Sequence, residues 1–572
     1  MVFSKFRIYD RETGELLDEH HEKLGIRKLT LDAKRGLRIN GTAVKLRGAC
    51  IHHDSGMLGA AVYERAQYRQ IQKLKDAGFN AVRMSHQPMA QAMLRACDEI
   101  GMYVMDEAFD MWTRCKSGYD YSLYFTEWWE SDIEAMVKKD RCHPSVVLYS
   151  IGNEIPEIVE DYGTRICYEI CRKIKSMDTE RYTLASINGI FMASPYLYQI
   201  IEEIRMKENG NKAVDTSFIG NVNEFMTIQE SYTEDIVGHD IVSTCLDRAC
   251  APLDIAGYNY MTSRYEKDVH ERPNRVIVGS ETYPPDIARN WAFVDMYPQI
   301  IGDFTWTGWD YLGEAGIGIP GYEEGEGGFG ARYPAQMAYC GDFDINGERR
   351  PMSYYREIVF GRRKDPYIAV RNPARYGEEI LKTPWCYSDA YSSWSWEGFE
   401  GKPVIVEVYS AGEEVALVLQ GRELGRKKSG KETEFRVNFE VEYQPGILEA
   451  VTYVDGKVLG RFALSSEGKA VQIVAEEDHT WSEKGELRYF SISLQDATGR
   501  IVTNQDQVLH LETDECIKFL RFGTGNPKPY YDYSERQTET FMGKAMLILK
   551  SENRGQIKIV SDDKHMECKI DL

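Results

Sequence analysis

Four things are missing from this sequence, and each absence removes a class of protein. No apolar run approaches the roughly 18 residues that a membrane-spanning helix needs, so no transmembrane segment and no membrane partner are expected. The N-terminus, "MVFSKFRIYDRETGELLDEHHEK", carries no apolar stretch of the kind a secretory signal requires. Positive charge is in deficit. Lys and Arg number 69 against 90 Asp and Glu, a formal net charge of −21, which repels phosphate backbones and argues against a nucleic-acid partner. CxxC pairs are absent as well. The 12 cysteines are scattered, and the closest pairs, Cys167/Cys171 and Cys245/Cys250, have no histidines at zinc-finger spacing. They read as small buried hydrophobes in a reducing compartment, so a cytoplasmic protein with no metal and no cofactor is expected.

What is present is an ordinary globular composition, 43% hydrophobic and 28% charged, in a chain of 572 residues that needs about two to four domains. From about residue 45 to 310, short β-like runs alternate with helical patterns. The runs are "KLRGACI" (45–51), "NAVRMS" (80–85), "YVMDEAF" (103–109), "VVLYSIGNE" (146–154), "YTLAS" (182–186), "DIAGYNY" (254–260), "RVIVGSE" (275–281) and "GDFTWTGW" (302–309). Between them lie segments such as "ERAQYRQIQKLKDAG", whose apolar residues recur at i, i+3, i+4 and which ends at Gly78, and "MAQAMLRACDEIG", which ends at Gly101. Eight βα units in a row predict an α/β fold, a (β/α)8 TIM barrel. A doubly wound open sheet is the alternative, but no Gly-rich phosphate loop follows the first strand.

From about residue 383 the texture changes to alternating strands with tight turns, such as "KPVIVEVYSA" and "ILEAVTYVDGKVLGRFAL". Two all-β, immunoglobulin-like sandwich modules after the barrel account for it. The expected division is 1–33, a remnant of an immunoglobulin-like β domain; 34–365, the barrel; 366–467, a β-sandwich; and 468–572, a second one.

In a barrel of this kind, polar residues that close apolar strands face the mouth where chemistry occurs. "VVLYSIGNE" delivers Asn153 and Glu154 to the end of the fourth strand, and "RVIVGSE" delivers Glu281 to the end of the seventh, across the mouth. Taken singly, each glutamate is as well explained as a salt-bridged strand end. As a facing pair they are the minimal kit for glycoside hydrolysis, one carboxyl donating a proton and the other attacking the anomeric carbon. Other strand ends add His52 (first), Arg83 and His86 (second), Asp106 and Glu107 (third), Tyr260 (sixth) and Trp306 (eighth). A cation can hold a carboxylate ionised, a tyrosine hydroxyl can donate to it, and an indole face suits a pyranose ring. Trp128 and Trp129, in a helical pattern, read as packing residues. The Trp394/Trp396 pair is more economically a sandwich core than a sugar platform. The stretch "GEAGIGIPGYEEGEGGFGARYP" is equally a gate over the cleft or a surface loop.

"HPSVVLYSIGNEIPE" resembles the acid/base motif of glycoside hydrolase family 2, and "RVIVGSETYP" its nucleophile motif. "RGACIHHDSGMLGAA", "NAVRMSHQP", "YVMDEAFDMW", "GYNY", "DFTWTGWDYLGE" and "GDFDINGERRPMSYYR" are also similar to that family, over about residues 25 to 362. The resemblance implies Glu154 as general acid/base, Glu281 as nucleophile, and Tyr260 and Arg83 as its supports. It implies Asn153 on the sugar 2-hydroxyl, and His52, His86 and Trp306 in the sugar subsite, to which Asp106 is added. Configuration would be retained through a covalent glycosyl-enzyme.

Three departures bear on specificity. Members of the family normally begin with a jelly roll and an immunoglobulin-like domain, and here only the tail of the second is recognisable. Phe109 stands where a magnesium ligand would be expected, so no such site is predicted. The Asn-x-Lys element that reads a uronic carboxylate in the β-glucuronidase branch is absent between Glu281 and Arg363. The sequence therefore points to a retaining exo-β-glycosidase acting on a small-molecule carbohydrate, β-galactosides first, and to a homo-oligomer. β-Glucuronidase, β-galacturonidase or β-mannosidase specificity is the near alternative. A catalytically weak carbohydrate-binding remnant that needs a partner domain is the distant one.

Overall fold

The computed structural model describes residues 2–207, 230–550 and 554–572. Eight parallel strands close into a barrel: β1 Leu46–His52, β2 Ala81–Ser85, β3 Tyr103–Glu107, β4 Val146–Asn153, β5 Tyr182–Asn188, β6 Ile255–Asn259, β7 Ile277–Thr282 and β8 Ile300–Thr305. All eight predicted runs are barrel strands. They read as nearly continuous apolar sequence because a parallel barrel strand is covered on both faces, by the interior on one side and by helices on the other. Every position of β4, β6, β7 and β8 is buried.

The helix α1 (Glu64–Asp76) follows β1, and α2 (Gln91–Ile100) follows β2. Gly78 and Gly101 lie just beyond them with φ of 95° and 85°, left-handed values that a residue without Cβ adopts at no steric cost. The outer ring continues with α3 (Ser122–Asp140), α4 (Asp161–Met177), α5 (Asp240–Cys250), α6 (Arg264–Glu271), α7 (Ile287–Met296) and α8 (Pro351–Val359). Both predicted tryptophans lie on α3, but only Trp129 packs against the core, whereas Trp128 is 49% exposed.

The barrel interior below the mouth is filled by Leu46, Met105, Leu148, Leu184, Ile255, Val278 and Phe304. Gly48 is required there, because a Cβ on it would lie 2.2 Å from the Phe304 ring. Leu29, Leu37 and Ile39 join the same core from a small sheet formed by Leu29–Asp32, Gly36–Ile39 and Thr42–Ala43, which stoppers the bottom. The division expected at residue 33 runs through the first turn of that sheet. Ahead of it, Val2–Tyr9 and Leu16–Leu24 pair as an antiparallel hairpin.

After α8 the chain forms paired sheets. One pair combines a three-stranded sheet with a four-stranded one over residues 367–465, and Trp394 is fully buried in its core with Trp396 packed beside it. The second pair, residues 472–571, stacks two four-stranded sheets around Phe490, Leu509, Leu547 and Ile559. The second pair is seated on the barrel through Met57, Leu58, Ala66, Tyr489 and Ile548. Arg69 Nε donates to Asp478 Oδ2 at 2.8 Å across the same seam.

Candidate active site

The C-terminal mouth of the barrel opens into a cleft of about 710 Å³. Its floor is a network centred on Arg83, which β2 carries with no solvent exposure. One edge of the guanidinium holds Glu107, Nη2 donating to Oε2 at 2.8 Å, and the other holds Glu281, Nη1 donating to Oε2 at 2.7 Å. Nη2 also donates to Asn153 Oδ1 at 2.9 Å. A guanidinium presents five donors in a rigid plane, so one side chain can order three acceptors from three different strands.

Glu281 lies in β7 and Glu154 one residue beyond β4, with a φ of 47°. Tyr260 follows β6 in the same way, with a φ of 54°. Non-glycine residues in the left-handed region are uncommon, and here both turn a side chain into the cleft. Tyr260 Oη donates to Glu281 Oε1 at 2.5 Å and itself accepts from Trp385 Nε1 at 3.0 Å. Each oxygen of Glu281 therefore has its own donor.

Asn259 joins the two carboxylates. Its Oδ1 accepts from Ser280 Oγ at 2.8 Å, which turns the amide nitrogen towards the mouth. From there the two hydrogens of Nδ2 are shared among Asn153 Oδ1 at 2.9 Å, Glu154 Oε1 at 3.2 Å and Glu281 Oε2 at 3.3 Å. The two glutamate oxygens can be no more than about 6.5 Å apart, since both lie on one nitrogen. That separation fits the close pair of a double displacement, roughly 5 Å, better than the wider gap that must admit a water between the two groups.

The electrostatics of the two buried glutamates differ. Burial works against ionisation of Glu107, but Arg83 and His86 overcome it and hold its pKa at about 2. Glu281 is also dominated by burial, and its carboxyl stays above the ordinary value of 4.5 although Arg83 pulls it down; Glu154 adds to the rise. His86 Nδ1 donates to Glu107 Oε1 at 2.7 Å, and its ring stacks on Trp306 at 5.2 Å with planes 5° apart. Burial drives the His52 imidazole down to about 3, which keeps it neutral, and its buried Nε2 has no partner among the described residues.

The structure gathers His52, His86, Asn153, Glu154, Tyr260, Glu281 and Trp306 on the cleft wall, with Arg83 directly beneath. Asp106 is a correction. It points outward from β3, where Oδ1 accepts from the Met89 backbone N–H at 2.7 Å and Oδ2 accepts from Lys139 Nζ at 3.0 Å. Successive side chains of a strand face opposite ways, so with Glu107 inside, Asp106 must face the helices.

Sequence reasoning missed several residues on the cleft wall and one, Asn259, buried beneath it. Asn259 and Asn188 close apolar strands as Glu154 does, and the same rule finds them once the strand ends are read one residue at a time. Asp110 and Lys116 come from the loop after β3, where Lys116 Nζ donates to Asp110 Oδ1 at 2.8 Å and Asn153 Nδ2 donates to that same oxygen at 2.9 Å. Trp385 comes from beyond the barrel and carries no local signal. The Gly-rich stretch supplies Gly313, Glu314, Ile317 and Phe329 to the wall.

Among known proteins, the family model described as "Glycosyl hydrolases family 2, TIM barrel domain" matches residues 32–233. "Glycoside hydrolase family 2 C-terminal domain 5" matches 471–568, and a domain of unknown function matches 401–460. A crystal structure of a glycosyl hydrolase family 2 member from Bacteroides cellulosilyticus is 32% identical, with a TM-score of 0.83, covering 100% of this chain and 67% of that one. A β-galactosidase of Bacteroides ovatus is 25% identical over 96% of this chain and 63% of its own length. A putative β-glucuronidase of Formosa agariphila is 26% identical over 90% of this chain and 46% of its own. The chain thus spans less than two thirds of the length of these two named relatives.

Proposed function

The chain belongs to glycoside hydrolase family 2, and from that premise we propose that it is a retaining exo-β-glycosidase of neutral sugars, β-D-galactosides first. The observation that carries this reading is the pair Glu154 and Glu281, held within reach of one amide nitrogen at the mouth of the barrel. In the first step the Glu281 carboxylate attacks the anomeric carbon. The bond from that carbon to the leaving oxygen breaks, and Glu154 gives its proton to that oxygen. Arg83 and Tyr260 keep one oxygen of Glu281 each and aim the carboxylate. In the second step Glu154 takes a proton from water as the water oxygen attacks the anomeric carbon. The ester to Glu281 is released, and two inversions leave the sugar in its starting configuration.

The balance of charge on the wall supports a neutral sugar. Asp54, Asp110, Glu154, Glu281 and Glu314 line the cleft, whereas Lys116 is the one lysine or arginine among the described residues that do. Lys116 is already paired with Asp110. That leaves no unpaired lysine or arginine among the described residues of the wall to meet a uronic carboxylate. His52, His86, Asn153 and Trp306 are proposed to bind the sugar. The reading extends to a cytoplasmic homo-oligomer, which light scattering on the purified chain and cell fractionation would check.

A panel of aryl β-glycosides tests the proposal: galactoside, glucoside, mannoside, glucuronide and galacturonide. The expected result is release from the galactoside, abolished in Glu281→Ala. Release from a uronide alone would move the assignment to an acidic sugar. Silence across the panel from a folded chain would favour a carbohydrate-binding role.

A further inference from the structure

We propose that Asn188 is a positioning residue that decides which oxygen of Glu154 carries the transferable proton. This inference rests on the assignment of Glu154 as the acid. Asn188 is the last residue of β5, is 4% exposed and faces the cleft. Its Oδ1 accepts from the Ile190 backbone N–H at 3.0 Å, capping the short helix Gly189–Met192. The cap consumes the acceptor end of the amide, so the donor end must turn the other way. There Nδ2 donates to Glu154 Oε1 at 2.9 Å. Asn259 Nδ2 donates to the same oxygen at 3.2 Å.

An oxygen that accepts from Asn188 and also faces the shared Asn259 amide has no direction left in which its own hydrogen would meet an acceptor. The carboxyl hydrogen is therefore excluded from Oε1 and sits on Oε2. The backbone reinforces the arrangement. Asn153 pairs with Ser186 of β5, and Glu154 N donates to Ser186 O at 2.7 Å, which fixes the carboxyl group beside the end of that strand. Asn188 touches neither the bond that breaks nor the sugar in this scheme. It acts through Glu154, by keeping the carboxyl from rotating and the proton from being shared between its two oxygens.

A donor lost from a charged or strongly polar partner weakens the held geometry by about tenfold to a hundredfold, and the loss is felt only where proton donation limits the rate. The test is kcat/KM on aryl β-D-galactosides that range from dinitrophenyl to phenyl leaving groups. Wild type, Glu281→Ala, Asn188→Ala and Asn188→Asp are run together. Asn188→Asp keeps an acceptor for the Ile190 N–H, and so the helix cap, while removing the donor. Both Asn188 variants are expected to be near wild type on the dinitrophenyl galactoside and about tenfold or more slower on the phenyl galactoside. The plot of rate against leaving-group basicity steepens accordingly. A loss equal on every leaving group would show Asn188 to be merely structural, and no loss on any would show that it does not hold the acid. Either result overturns the inference while leaving the glycosidase reading intact. If another sugar of the panel is the substrate, the series is built on that sugar; wild type silent on every sugar of the panel, or a fully active Glu281→Ala, would instead remove the two-glutamate reading and this inference with it.

Discussion

Arg83 is the residue on which the site turns, because a buried guanidinium is stable only while its carboxylates are present. Glu107→Gln removes the carboxylate held on one edge of a guanidinium that has no solvent, and removal of one partner of a buried pair costs about 3–5 kcal/mol. Urea unfolding should report a loss of that size, larger than for the exposed pair Arg165–Glu169, which is worth well under about 1 kcal/mol. Glu281 gives a pH prediction. Burial raises its carboxyl above the ordinary value, and Arg83 and the Tyr260 hydroxyl oppose the rise by stabilising the ionised form. In the proposed mechanism only the ionised form attacks, so kcat/KM should fall as pH drops through that pKa. Tyr260→Phe removes a stabilising donor, and the acid limb of the kcat/KM profile should move to higher pH. An unmoved limb would mean that Tyr260 does not set the charge state of Glu281.

At the scale of the element, the strands are spaced by the smallest side chains they carry. In β7, a Cβ on Gly279 would stand 2.2 Å from the Tyr265 hydroxyl and 3.0 Å from Asp303 Oδ2. Gly279→Ala must push the strand or the α6 tyrosine away, and overpacking of this kind costs about 1–3 kcal/mol. Because Glu281 lies two residues along the same strand, thermal unfolding should fall together with turnover; a stable variant with normal turnover would show that the strand has slack. The elements were legible from sequence because apolar runs of strand length alternate with amphipathic helices ending at Gly78 and Gly101. The facing of individual side chains was less so. "YVMDE" names two adjacent acids, and which of Asp106 and Glu107 enters the barrel depends on the phase of a strand covered on both sides, where apolar alternation gives no clue.

At the scale of the whole molecule, the cleft is completed by residues from outside the eight βα units. Trp385, on the connection between the first two strands of the first sandwich, Tyr367–Val370 and Pro403–Tyr409, sits edge-on to Tyr260 at 5.4 Å and donates to its hydroxyl. With that acceptor lone pair occupied, the Tyr260 hydrogen is left to point at Glu281. Trp385→Phe keeps an aromatic ring in the wall but loses the N–H, and kcat/KM should drop several-fold with little change in the unfolding midpoint, since the ring remains 9% exposed in the same packing. An unchanged kcat/KM would make Trp385 a wall residue only.

By itself the sequence determined the barrel, the β modules after it and the strand ends that carry Glu154, Glu281 and Tyr260. Those follow from local periodicity and from the rule that polar residues closing apolar strands face the mouth, both of which are written in adjacent residues. Only the tertiary structure decided that Asp106 faces away, that Asn259 and Asn188 meet at one oxygen of Glu154, and that Trp385 reaches back over more than a hundred positions to Tyr260. Those relations depend on strand phase, amide orientation and the closing of the ring, and each is fixed by partners distant in the chain that no window of sequence contains.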